Sequence, residues 1–95
     1  MAEHVLKTWP NAFEAVRDGR KRFEWRSDDR GFEVGDTLVL ALYDPQDEFN
    51  WDFKPERARV PKLRVRVTYI LRGLFGVPPG FCVMSIELDK EPSNG

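Results

Sequence analysis

Hydrophobic positions recur along the chain with two different periods, and the changes of period divide it into elements. His4 to Thr8 is a short, mostly apolar run that predicts an opening strand. Beyond Trp9-Pro10, the residues Ala12, Phe13, Ala15 and Val16 form one stripe at helical spacing. Pro10 has the fixed φ of a first helical position and Gly19 supplies a stop, so a short amphipathic helix is predicted over 11–18. From Lys21 to Ser27 the period drops to two, which predicts a half-buried strand. On that reading Phe23 and Trp25 turn inward, while Arg22, Glu24 and Arg26 share the opposite face.

Asp28-Asp29-Arg30-Gly31 and Val34-Gly35-Asp36 are turn chemistry. Thr37 to Tyr43 is apolar on both faces and predicts a central strand, and residues 44–56, rich in Asp, Asn and Pro, read as a loop or wide hairpin connection. The clearest alternation runs from Val60 to Arg72, with Leu63, Val65, Val67, Tyr69 and Leu71 on one face and Lys62, Arg64, Arg66, Thr68, Ile70 and Arg72 on the other. Gly73 to Gly80 is a loop, Phe81 to Leu88 a last strand, and 89–95 a frayed tail. The expected class is mostly β (α+β), a small and largely antiparallel barrel of about five to six strands with one short helix after the first, because a sheet of this length must close or be covered.

Length confines this plan to one unit. With 95 residues the chain supports a single modest core, expected over 1–90 with 91–95 disordered, which excludes a cofactor domain beside a substrate domain. Twelve aromatics and 41% hydrophobic residues are too many for a disordered chain. One cysteine, Cys82, and one histidine, His4, give no set of metal ligands, so neither metal nor cofactor is expected. No signal-peptide pattern or membrane-length apolar run is read, and a soluble, cytoplasmic protein without membrane partners is the expectation.

A formal net charge of -1 argues against a nucleic-acid partner until it is resolved along the chain. Between Lys54 and Arg72 seven cations face one acid, Glu56, for a net +6, and the loop before it carries Asp44, Asp47, Glu48 and Asp52. Arg64 and Arg66 on one strand face fit either phosphate contacts or a solvated edge that resists aggregation. The segment 19–30 packs five cations and three carboxylates around Phe23 and Trp25. Lys21, Glu24 and Arg26 can converge on a cleft that holds a polar planar ligand: Arg offers forked donors, Glu accepts from an exocyclic amine, and Lys supplies charge or, desolvated, a base or nucleophile. A simple surface ion pair is the competing account.

Residues 19–26, GRKRFEWR, resemble the GxKxxExR signature of ASCH domains, members of the PUA-like β-barrel superfamily associated with RNA. His4-Val5-Leu6-Lys7, Asp29-Arg30-Gly31-Phe32, Val34-Gly35-Asp36, residues 67–73 (VTYILRG) and residues 80–86 (GFCVMSI) extend the likeness to a bacterial and phage family of uncharacterised ASCH-related domains. The resemblance implies a PUA-like barrel whose cleft binds RNA or a modified nucleotide, for which Lys7, Lys21, Glu24, Arg26 and Arg30 are the candidate contacts; the basic stripe adds Arg64 and Arg66 as contacts extending along the backbone. Some ASCH proteins hydrolyse N4-acetylcytidine using the signature Lys, a Thr where Glu24 stands here, and a later carboxylate. Lys21 is present, the Thr is not, and 73–80 has no acid, so catalysis would fall to Lys21 and Glu24. A third reading is a protein-interaction module of a phage or host regulatory complex, contacting its partner through Phe49, Trp51 and Phe53. His4 is chemically suited to act as a base and is equally at home as a structural residue. Trp25 and Phe32 are able to stack on a base, though core packing is the expected fate of Trp25. Cys82 is expected to be an inert core residue.

Overall fold

A computed structural model describes residues 1–47, 54–57, 59–73 and 75–89. In order the elements are β1 (Glu3–Thr8), α1 (Pro10–Arg17), β2 (Phe23–Ser27), β3 (Thr37–Leu42), β4 (Lys62–Arg72) and β5 (Phe81–Leu88). The strands form one mixed sheet in the order β1-β3-β4-β5-β2. β1 lies parallel to β3, and the other pairs are antiparallel. The mostly-β expectation therefore stands, with five strands and one helix among the described residues, and the sheet curls into a half-barrel.

Each element follows from local chemistry. Pro10 opens α1, where its missing N–H costs nothing, and the helix buries Phe13 and Val16. It ends at Asp18 followed by Gly19 at φ 87°, a conformation glycine adopts without strain, and the Lys21 amide then closes back on Ala15 O at 2.9 Å. β3 carries Leu38, Val39, Leu40 and Ala41, all buried, as an interior strand requires. It lies one place from the edge, and the centre of the sheet belongs to β4. The core gathers Leu6, Val16, Phe32, Leu38, Leu40, Val65, Val67, Cys82, Met84 and Ile86 on the concave side.

Two facing expectations are corrected. Glu24 pairs with Met84 and Arg26 with Cys82 in the β2–β5 register, and cross-strand partners share a face. Since Met84 and Cys82 are core residues, Glu24 turns inward and is 3% exposed, whereas Phe23 at 47% and Trp25 at 49% turn outward. Alternation correctly separated the two sets of side chains and assigned the wrong one to the interior. In β4 the register shifts between Val67 and Tyr69, leaving Thr68 as an extra residue. The parity of the strand changes there, so Tyr69 is 64% exposed and Ile70, expected outside, packs against the core.

β1 and β2 are the two edges of the sheet. They approach one another without a shared ladder among the described residues, and arginine side chains bridge the seam. Arg26 Nη2 donates to Lys7 O at 3.0 Å, and Arg30 Nη1 donates to Val5 O at 2.8 Å. These bonds occupy edge carbonyls of β1 that would otherwise be left for water or a foreign strand.

Candidate functional site

Sequence spacing places Lys21 just before β2 and Glu24 and Arg26 two residues apart along it, and the inward turn of β2 joins the three side chains. Lys21 Nζ donates to Glu24 Oε1 at 2.5 Å and to Phe23 O at 2.6 Å, while Arg26 Nε donates to Glu24 Oε2 at 2.9 Å. Each oxygen of the buried carboxylate thus accepts from a different cation, which offsets the cost of removing its charge from water. Neither cation is buried as deeply as the carboxylate between them. The cluster carries two positive charges and one negative, and its cationic ends reach solvent.

That solvent is a cleft of about 320 Å³ between the β1–α1 junction and β2. Lys7, Thr8, Trp9, Asn11 and Ala12 form one wall, and Lys21 through Arg26, without Arg22, form the other. Lys7 Nζ also sits 4.7 Å from the Tyr43 ring centre, and Lys21 Nζ 4.7 Å from that of Phe23. Three indole and phenyl rings border the cations: Trp9, Phe23 and Trp25. Trp9 is the residue preceding α1, where its side chain makes no capping hydrogen bond, and it stands 59% exposed. Trp25 leans on Phe81, centroids 6.4 Å apart and tilted by 44°. The hydrophobic pattern does not mark Trp9 or Phe23 as ligand contacts, and Trp25, expected in the core, stands 49% exposed at the cleft. The signal available for Trp9 was its N-cap position, which a tryptophan is unable to fill.

The remaining predicted residues sit apart from this cluster. Arg30 borders a second small hollow with Leu6, Ser27, Asp29 and Phe32, and Arg26 lies on the divide between the two. Arg64 and Arg66 point from β4 to the convex face, where Arg64 pairs with Glu3 and Arg66 Nη2 meets Glu87 Oε1 at 3.1 Å. The two arginines expected to extend contact along a nucleic-acid backbone are thus each paired with an acid from another strand. Phe49, Trp51 and Phe53 lie outside the described residues.

His4 is taken up by structure. Asp36 is buried in the turn before β3, where its carboxylate accepts from the amides of Ala2 and Glu33 and from His4 Nε2, each at 2.9 Å. Burial works to raise the Asp36 pKa, yet these hydrogen bonds prevail and hold it below the ordinary 3.8. The His4 ring also meets Phe32 edge-on at 4.8 Å. Burial pushes the Cys82 thiol up, so it lacks the thiolate character of a nucleophile. Among the described residues no group of three or more His, Cys, Asp or Glu is placed to hold a metal, and no helix is long and apolar enough to cross a membrane.

Comparison with known proteins agrees in extent with the folded region. The sequence model of a family described as "Domain of unknown function (DUF3850)" matches residues 3–86. A stretch of 37 residues is 46% identical to the "Uncharacterized 12.9 kDa protein in GpA 3'region" of Escherichia phage P2. That match covers 39% of this chain and 34% of the phage protein, so the chain spans about a third of the curated relative it matches.

Proposed function

We propose, from the premise that the chain belongs to the DUF3850 family of domains of unknown function, that it is an ASCH-type, PUA-like module that binds RNA or a modified nucleotide in the cleft beside β2. One observation supports this above the others: Lys21, Glu24 and Arg26, the three charged positions of the GxKxxExR pattern, meet on a single concave surface with Lys7 on the opposite wall. In this reading Lys21 and Arg26 take the phosphate, and the buried carboxylate between them fixes the two cations in place. Glu24 thereby confers orientation at some cost in attraction. Fluorescence anisotropy with a short labelled RNA tests it. Lys21→Ala and Arg26→Ala are each expected to weaken binding about tenfold, in line with one lost charge-assisted contact. Affinity should fall with salt at a log–log slope of roughly -2 if Lys7, Lys21 and Arg26 each meet a phosphate. Affinity insensitive to salt, or unchanged in both variants, removes the proposal.

The direct ion pair of Lys21 with Glu24 at the cleft favours a second reading, a hydrolase of acylated nucleosides in which Lys21 activates the attack and Glu24 moves the protons. Release of acetate from N4-acetylcytidine, abolished in Lys21→Ala, would establish it. No turnover across a panel of acylated nucleosides leaves the binding module alone.

A further inference from the structure

The aromatic rings around the cleft bear on a question the cations leave open, namely which form of nucleic acid fits. Building on the cleft reading above, we infer that the ligand is a single-stranded polynucleotide whose unpaired bases stack on Trp9 and Trp25 while its phosphates lie against Lys7, Lys21 and Arg26. All five side chains border one cleft. An exposed tryptophan is costly to leave in water, and two of them stand on facing walls, one at the start of α1 and one on β2. Trp25 is backed by Phe81, which leaves the ring supported on one side. Phe23 has the Lys21 ammonium over its ring, so that ring serves the cation.

A duplex matches this surface poorly, because its bases already stack on one another and show proteins their edges and backbone. An unpaired strand presents the π-faces that rings accept. The cleft volume, about 320 Å³, lies at the small end for ligand sites and suits one nucleotide at a time. A strand therefore has to pass across it, meeting Trp9 and Trp25 on either side. Charge complementarity is consistent with the same occupant: Lys21 and Arg26 outnumber Glu24 in the described lining, within a chain whose total is -1.

Intrinsic tryptophan fluorescence of the full chain, titrated with unlabelled probes at low salt, provides the test. The probes are a mixed-sequence strand of about eight nucleotides, as RNA and as DNA, its blunt duplex, and a 5′-mononucleotide. The expected result is quenching by the single strands with affinity at least tenfold above the duplex and above the mononucleotide, the RNA and DNA arms showing whether the 2′-hydroxyl matters. Trp9→Ala and Trp25→Ala should each weaken the strand about five- to a hundredfold, with Trp→Phe at either position restoring most of the affinity and losing its share of the quench. Both positions are exposed, and unchanged thermal unfolding verifies that the variants fold. A duplex bound as tightly as the single strand, or affinity unmoved in both alanine variants, overturns the stacking inference while the cationic cleft stands. Failure of every probe to bind overturns the cleft reading as well.

Discussion

Glu24 and Asp36 are both carboxylates buried to within 3% of full exclusion from solvent, and they are neutralised in opposite ways. Asp36 is met mainly by the chain itself: two backbone amides and one short imidazole close around it and tie the segment before β1 to the turn before β3. Glu24 is met by two long side chains, whose stems cross to it from the rim of the cleft and whose charges remain in contact with water. Backbone donors make a staple, because an amide has no freedom to turn toward a ligand. Lysine and arginine leave room for a ligand, because each has donors beyond those the carboxylate uses. A buried acid closed in by backbone donors is sealed, whereas one neutralised by long side chains keeps donors open to solvent.

The widest separation between the two regions is expected from their removal. Asp36→Ala strands two partly buried amide donors and the His4 ring and should cost about 3 kcal/mol in urea denaturation, without altering the ligand affinity of the folded fraction. A small loss there, or a large change in affinity, would erase the distinction. Glu24→Gln is expected to cost about 1–2 kcal/mol and to raise the affinity for inorganic phosphate or a nucleotide several-fold, since it frees Lys21 and Arg26 from their carboxylate. Calorimetry that shows weaker phosphate binding would mean that Glu24 contacts the ligand directly.

Acid sharpens the same contrast. The Asp36 pKa is depressed in the folded protein, so its contribution is complete above the unfolded value near 3.8 and is lost as pH falls through the lower folded value. Asp36→Asn should therefore flatten the fall in stability below about pH 4, and an acid limb identical to that of the parent protein would contradict it. Arg30→Ala removes one bridge across the β1–β2 seam and should cost about 1 kcal/mol while leaving strand affinity within twofold, because Arg30 borders a separate hollow. A tenfold loss of affinity would return it to the site. Arg66→Ala, which breaks an exposed pair with Glu87, is expected to change stability by less than about 0.5 kcal/mol and binding hardly at all.

Much of the framework was legible in the residues. Pro10 and Gly19 bracket the helix, the unbroken apolar run 37–43 predicts an interior strand, and the spacing of Lys21, Glu24 and Arg26 predicts that they meet. Thr68 shows where pattern runs out: one inserted residue reverses the parity of β4, and nothing in the alternating string 62–72 marks the insertion. Arg64 and Arg66 show the same for charge, since their acids come from other strands.

β2 marks the division most clearly. Its sequence determined that Phe23 and Trp25 would stand on one face and Glu24 and Arg26 on the other, because successive side chains of a strand alternate. Only the tertiary structure decided which face is inside. Pairing with Cys82 and Met84 turned the charged face toward the core, and the Lys7 carbonyl nineteen residues away gave Arg26 a partner there. Two cations around one carboxylate make that inward turn tolerable, and the same turn leaves the aromatic rings at the rim of the cleft.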